Sequence, residues 1–347
     1  MPRLRRADCS APGYTRRGCG RGFAYHDERG QRLTDQEILD RIAALVIPPA
    51  WKDVWICPWA NGHLQAVGTD AAGRRQYLYH PAWRERRDRE KFDHMLEFAR
   101  CLPGLRAACA STLAAGDGLD RERVLACAVR LLDLGFFRIG TEGYADQNQS
   151  FGLATIRKDH VRLLDGHALE FDYVAKSGQR RLQTVVDPAV FDVVAALKRR
   201  RGSGDELLAY RNAKRWHDVR SEEINAYIKE LTGDEFTAKD FRTWNATVLA
   251  AVALAVSTAA RSATARKRAV ARAMQEVASY LGNTPAVCRS SYVDPRVVDR
   301  YQAGTTISAA LEGLAEEGGA GLSFQGAVEE AVLDLLTNGA HPVSRAA

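Results

Sequence analysis

Five nitrogen-bearing side chains and one phenol, spread from Arg138 to Tyr292, have types that could act together on a phosphate ester. Arg138 lies in Phe136-Phe-Arg-Ile-Gly140, just past a segment with helical spacing. Lys176 lies in the turn Val174-Ala-Lys-Ser-Gly178. Lys239 and Arg242 stand three residues apart at the start of a helix pattern, so they share one helix face. Asn283 follows a helix stop in Gly282-Asn-Thr-Pro285, and Tyr292 sits in Ser290-Ser-Tyr-Val-Asp-Pro295. A guanidinium matches the nonbridging oxygens of a phosphate with two parallel donors. An ammonium can hand over a proton, while an amide can donate a hydrogen bond without exchanging a proton near neutral pH. A phenol oxygen can attack phosphorus and hold it covalently. Taken singly, each position also has an ordinary reading: a helix-end arginine, a solvated turn lysine, a solubilising pair, a helix-terminal asparagine, a half-exposed tyrosine.

The elements that must position these residues follow from periodicity and punctuation. Phe23 to Leu33 reads as a hairpin around Asp27-Glu-Arg-Gly30. Thr34-Asp-Gln-Glu37 is a capping-box pattern that starts a helix running to Val46, where Pro48-Pro49 stops it. His63 to Val67 and Arg74 to His80 alternate on either side of Thr69-Asp-Ala-Ala-Gly73, a second strand pair. Trp83 to Lys91 is densely charged and reads as a linker or the start of a helix. Helical spacing then covers 92–102 and 120–134, and four short strands are expected at 152–156, 160–164, 168–174 and 181–186, with turns at Asp165-Gly166 and Lys176-Ser-Gly178. Beyond Pro188 the pattern is helical over 189–201, 219–232, 238–257 and 261–281, with a loosely docked helix around 324–337. The expected fold is α+β: a small, mostly β N-terminal domain (21–90) after a basic arm (1–20). A larger, mainly helical domain with a small antiparallel sheet (91–303) and an acidic tail (304–347) complete the chain.

Charge agrees with a polyanionic partner. Residues 1–92 hold 17 Lys/Arg against 11 Asp/Glu, a net +6, and the clusters Arg3/Arg5/Arg6 and Arg16/Arg17/Arg21 read as a loose cationic arm. The remainder is neutral in sum, with six acids and one arginine concentrated in 304–347. Seven cysteines follow no zinc or disulfide spacing, which points to a reducing compartment and against a structural metal. No apolar run approaches the ~20 residues of a membrane span, and no apolar segment follows the N-terminal charges as a secretory signal would. A cytoplasmic protein, nucleoid-associated if bacterial, is the plain expectation.

The order of the candidate residues carries more than their separate types. Arg138, Lys176 in a hairpin turn, Lys239-x-x-Arg242, a phosphate-capable donor and then Tyr292 resembles the type IB DNA topoisomerases, in particular their small poxvirus-like and bacterial branch. Ile47-Pro-Pro-Ala-Trp-Lys-Asp-Val-Trp-Ile56, Gly62-His-Leu-Gln-Ala66, Arg74-Arg-Gln-Tyr-Leu-Tyr-His-Pro-Ala-Trp83 and Phe137-Arg-Ile-Gly140 extend the resemblance over roughly residues 20 to 300. It implies two domains closed around double-stranded DNA, and a monomer that relaxes supercoils by transient cleavage of one strand. Tyr292 would be the nucleophile of a 3′-phosphotyrosyl bond. Arg138 and Arg242 would grip the nonbridging oxygens, Lys176 would be general acid to the 5′-oxygen, and Lys239 would support that transfer. Asn283 stands where many members have His, which limits it to hydrogen bonding. On the N-terminal domain Arg74, Arg75, Gln76, Tyr77 and Tyr79 are expected to meet DNA, with His80 and Arg84 as weaker candidates. Arg266 and Arg268, within the basic stretch Arg261 to Arg272, are expected to meet phosphates. Neither ATP nor a metal is expected, since no phosphate-cradling Gly-x-x-x-x-Gly-Lys loop and no carboxylate cluster with metal spacing appears. Two other readings stay open: a tyrosine recombinase, whose members usually carry His where this chain has Lys239, and a non-catalytic duplex-binding protein.

Overall fold

The computed structural model describes residues 3–201, 204–213, 215–233, 235–257, 262–316 and 325–337. Two compact units divide the chain, Met1–Asp93 and His94–Ala347.

The first unit is a five-stranded antiparallel sheet with one helix. Strands β1 (Tyr14–Cys19), β2 (Gly22–His26), β3 (Lys52–Ile56), β4 (Leu64–Thr69) and β5 (Arg75–Tyr79) pair in the order β2-β1-β3-β4-β5. Helix α1 (Gln36–Ala44) is capped by Asp35, whose side chain accepts from the amides of Glu37 and Ile38. Successive strand side chains point to opposite faces, so the unit has two apolar clusters. Val54, Ile56 and Ala66 pack with Ile42 and Ile47. Val67, Leu64 and Cys57 pack with Ala7, Trp55 and Trp59.

Here the structure departs from the sequence reading. The expected arm is ordered. Tyr14–Cys19 is a sheet strand, paired through Arg16↔Tyr25 and Gly18↔Phe23, and the tight hairpin turn falls at Gly20, ahead of the predicted one. The Asp27 turn exists too, but closes on a single bridge, His26↔Arg32. Arg16 is structural: its guanidinium donates to the carbonyls of Pro48 (3.0 Å) and Trp51 (2.7 Å) past the end of α1. Further back, Arg5 bridges Gly62 in parallel and Ala7 is buried.

Helix α2 (Pro81–Ala114) contains the division between the units and runs through Pro103, beyond the predicted stop at 102. Leu102 and Leu105 are buried on either side of that proline, and their packing overrides its helix-breaking tendency. The second unit is built around α3 (Arg121–Gly135), which is buried along most of its length and capped by Asp120. Helix α4 (Glu142–Asn148) follows, then a sheet of β6 (Val161–Leu164), β7 (Ala168–Ala175) and β8 (Gln179–Val186) in that order. The expected first strand of this group is instead a 3-10 turn at Leu153–Thr155, where the Thr155 hydroxyl bonds back to Gly152. After α5 (Pro188–Arg199) comes a hairpin the sequence reading missed, β9 (Ala209–Asn212) and β10 (Arg215–Asp218). Helices α6 (Ser221–Thr232), α7 (Ala238–Ala255), α8 (Ala263–Leu281), α9 (Pro285–Ser291), α10 (Pro295–Gln302), α11 (Ser308–Glu316) and α12 (Ala327–Thr337) complete the unit.

The tail helix α12 is not loosely held. Val328, Val332 and Leu336 are buried, and Glu329 accepts from Trp244 Nε1 at 2.8 Å and pairs with Arg106. The chain is therefore a mixed helix and sheet protein whose sheets are small and antiparallel. Among the described residues, no helix is long and apolar enough to cross a membrane.

Candidate active site

Arg138 is placed by glycine geometry. Helix α3 ends with Phe136 in the left-handed region (φ 54°), and a Cβ on Gly135 would meet the Phe137 ring at 2.1 Å. The strand-like stretch after it lies against Gly152. A Cβ on Gly140 (φ +75°) would stand 2.8 Å from the Gly152 Cα. That close approach lets Leu153 N donate to Arg138 O and Ala154 N to Ile139 O, both at 2.8 Å. The Arg138 guanidinium then donates to Gly282 O at 2.7 Å and to Asn283 Oδ1.

Arg242 lies in the first turns of α7 and is 4% exposed. It donates to Phe136 O at 2.5 Å and Leu281 O at 2.9 Å, while Nε has no partner. Three chain ends thus converge on the two arginines: the end of α3, the end of α8 and the start of α7. Gly282 caps α8 in the left-handed region (φ 62°) and turns Asn283 toward Arg138. Because a guanidinium can only donate, Arg138 fixes the Asn283 oxygen toward itself and leaves Nδ2, buried and without a hydrogen bond of ordinary length among the described residues, on the side of the Tyr292 phenol.

Tyr292 ends α9. Its amide donates to Cys288 O at 3.0 Å, and its carbonyl accepts from the Thr247 hydroxyl of α7 at 3.2 Å. Asp294, wholly buried, caps α10 and pairs with Arg296, which anchors the chain beyond the tyrosine. The Arg242 guanidinium carbon lies 5.4 Å from the centre of the Tyr292 ring. Lys176 sits at the tip of the β7–β8 hairpin, where Ser177 (φ 66°) and Gly178 (φ 70°) make the turn. Lys239 is exposed in the first turn of α7.

A cavity of about 330 Å³ joins these positions: Arg138, Lys176, Lys239, Arg242 and Tyr292 all line it. Asn283 lies behind it, bonded to Arg138. Four cations line the cavity and no described carboxylate does. Burial drags the Arg242 guanidinium down to about 10, and the Arg138 charge adds to that. Burial pushes the Tyr292 phenol up, but the charge and hydrogen bonding of Arg242, then the charge of Arg138 and the Asn283 amide, outweigh it. The phenol titrates below its ordinary value. The cavity sets four cationic side chains beside a phenol whose ionised form is favoured.

Ser150 was missed by the sequence reading. It also lines the cavity, is 6% exposed, and its hydroxyl has no partner. The carbonyls of Phe136, Leu281 and Gly282 were missed as well, since backbone acceptors leave no mark on side-chain type. A serine beside an aromatic residue carries no signal of its own.

The expected DNA-contact residues of the first unit lie on β5, just before it (Arg74) and just after it (His80, Arg84). Tyr77 and Tyr79 are 42% and 37% exposed with their rings stacked 6.2 Å apart, so the tyrosine face is free of the core. Leu78 packs inward instead. Arg74 and Gln76 both reach Asp70 Oδ2 at 2.9 Å, and Arg75 donates to Cys9 Sγ at 3.2 Å. His80 accepts from Ala82 N at the start of α2, and Arg84 is exposed. On α8, Arg266 donates to Gln302 O at 2.9 Å and Arg268 is exposed; Arg261 lies outside the described residues.

The phenol thus sits in a cation-lined cavity free of described carboxylates, and comparison with known proteins gives the chain a family. Residues 80–316 match the family described as eukaryotic DNA topoisomerase I, catalytic core, and residues 22–70 match bacterial DNA topoisomerase IB, N-terminal domain. DNA topoisomerase 1B of Acanthamoeba polyphaga mimivirus is 32% identical over 290 residues, covering 80% of this chain and 84% of that protein. DNA topoisomerase 1 of Daucus carota is 29% identical over 162 residues, 46% of this chain but 19% of its own length. The corresponding protein of Schizosaccharomyces pombe is 31% identical over 129 residues, 37% of this chain and 15% of its own length. The chain belongs to the type IB DNA topoisomerase family.

Proposed function

We propose that the chain relaxes supercoiled duplex DNA by transient cleavage of one strand, with Tyr292 as the nucleophile. The observation that carries this reading is the shared cavity of Tyr292, Arg138, Lys176, Lys239 and Arg242. The phenol, its proton released to water, attacks phosphorus through its oxygen, the bond from phosphorus to the 5′-oxygen breaks, and the leaving oxygen takes a proton from Lys176. The phosphate stays on Tyr292 through the 3′ end, so the bond energy is kept and the 5′-hydroxyl can reverse the step after the free end rotates. Arg138 and Arg242 hold the nonbridging oxygens as negative charge grows on them, and Asn283 Nδ2 donates without proton exchange. Lys239 supports the proton transfer.

In this reading the two units form a clamp around the duplex. Tyr77, Tyr79, Arg75, Arg74 and Gln76 meet it from the first unit, and Arg266 and Arg268 from the second. The exposure of the tyrosine face supports the first of these sets. Arg266, spent in part on a main-chain carbonyl, is the weaker of its pair. One protomer is sufficient for the chemistry, because every proposed reacting group belongs to one unit.

The test is relaxation of supercoiled plasmid in EDTA without ATP, with denatured products examined for a protein–DNA adduct. The expected result is relaxation with a 3′-linked adduct, and loss of both in Tyr292→Phe. Continued relaxation by that variant would remove Tyr292 from the reaction. Recombinant junctions would favour strand exchange instead.

A further inference from the structure

The N-terminal arm builds a second cation-lined cavity, of about 570 Å³, within the first unit. Arg3, Arg5, Arg6, His63, Trp83 and Arg86 line it, and no described carboxylate does. The arm is held by its backbone. Arg5 N donates to Asn61 O and His63 N to Arg5 O, both at 2.9 Å, while Asn61 Nδ2 donates to Arg3 O at 3.2 Å. Ala7, buried next to Cys57 and Leu64, anchors the far end. The arginine side chains are therefore not needed to keep the arm in place.

Their charges are also largely unspent. None of Arg3, Arg5 and Arg6 has an ion-pair partner within 4 Å among the described residues; Arg5 lies over the Trp59 ring at 3.5 Å, and Arg86 Nε pairs with Glu90 at 2.8 Å. A guanidinium stacked on an aromatic face keeps its edge donors available. His63 Nδ1 accepts from Ala7 N at 3.0 Å, so its remaining ring nitrogen is the one that carries a proton. The cavity adjoins the proposed DNA strand: His63 O accepts from His80 N at 2.9 Å, and the His63 and Tyr79 rings are 6.3 Å apart.

We infer that this cavity is a binding site for one phosphate group, supplied by the duplex backbone beside the segment that Tyr79 meets. This rests on the strand-breaking reading for the source of the phosphate, though not for the chemistry of the site. Planar donors on several sides, one further imidazole donor and a lining without a described carboxylate suit a tetrahedral dianion or a phosphodiester equally, with Glu90 occupying one edge of Arg86 and Asp8 near Arg6. The experiment must therefore separate the two sources.

Duplex binding is measured against salt for the full chain carrying Tyr292→Phe, with and without Arg3→Gln, Arg6→Gln and Arg86→Gln. Loss of one phosphate contact lowers the slope of log affinity against log salt by about 0.9, and weakens binding about tenfold at 0.1 M salt. Inorganic phosphate is titrated calorimetrically into the same pair of proteins. A reduced slope supports the duplex backbone as occupant. An unchanged slope with loss of the phosphate heat supports the site but assigns it to free phosphate. No change in either overturns the proposal. If the triple variant melts early, Arg6→Gln alone is used, with the same readings. Plasmid relaxation by the unaltered chain is the control: its absence would sink strand breakage while the phosphate titration still decides the cavity.

Discussion

Two arginine clusters in the second unit, each wholly or partly buried, differ in what neutralises them. In one, Arg106 makes paired bonds to Asp133 (2.8 and 2.9 Å) and to Glu329 (2.5 and 2.9 Å), and Arg130 reaches Asp133 at 2.6 Å and Asp187 at 3.1 Å. In the other, Arg138 and Arg242 are held by three main-chain carbonyls and one amide oxygen. Burial opposes the charge in both. Around Arg106 the carboxylates outweigh burial and lift the guanidinium above its ordinary value, whereas Arg242 falls to about 10. Carbonyl oxygens fix an arginine in place and leave its net charge uncompensated. The first cluster is finished as it stands and ties α12 to α2, α3 and α7. The second is short of an anion, which a phosphodiester would supply.

The largest effect expected from this difference is on stability, and only in the first cluster. Glu329→Ala leaves Trp244 Nε1 and part of Arg106 without acceptors in a buried setting, which should cost about 3 kcal/mol. Thermal unfolding of the variant measures it. A change under ~1 kcal/mol would mean the tail helix is held by Val328, Val332 and Leu336 alone, and the contrast between the clusters would lose half its content.

Arg242→Gln should do the reverse. If Arg242 grips a nonbridging oxygen as proposed, its loss lowers the single-turnover cleavage rate by about 10²- to 10³-fold. Thermal stability should hold or rise, because an uncompensated buried charge disappears. The pH profile gives a second reading. Burial raises the Tyr292 phenol and Arg242 is the main group pulling it down. Without Arg242 the folded-state value moves up, so the rising limb of cleavage against pH moves to higher pH. A limb that stays in place would show that Arg242 does not activate the phenol.

How much of this was legible beforehand depends on where each contact resides. The helices expected from spacing at 189–201, 219–232, 238–257 and 261–281 correspond to α5, α6, α7 and α8, whereas α9, α10 and α11 were not foreseen, although Thr284 and Asp294 cap the first two of them. The residues proposed to react stood out only through their order. The spacing of Arg138 from Arg242 says nothing of the carbonyls of Phe136 and Leu281 that position them. β1 was missed because Tyr-Thr-Arg-Arg-Gly-Cys has no alternation to read: Arg16 lies inward on carbonyls that only the tertiary fold assembles. The hairpin of β9 and β10 was hidden for a similar reason, with charged residues at most of its exposed positions. Pro103 inside α2 shows packing overriding a local breaker. The Arg106 cluster joins residues 106, 133 and 329, a separation no motif spans.

The smallest expected effect tests the comparison most directly, by moving a carboxylate from one kind of cluster into the other. In Asn283→Asp the oxygen that accepts from Arg138 becomes charged, and the Nδ2 donor is lost. Arg138 then acquires what Arg106 already has. Pairing a half-buried guanidinium that lacked a counter-ion should raise stability by about 1 kcal/mol. The same charge repels the incoming phosphate and competes for its clamp, so cleavage should slow by roughly tenfold or more. The two readouts must move in opposite directions, which simple damage to the fold cannot produce. If stability and cleavage fall together, the added carboxylate is not reaching Arg138, and the cavity is not the under-neutralised site that its partners make it.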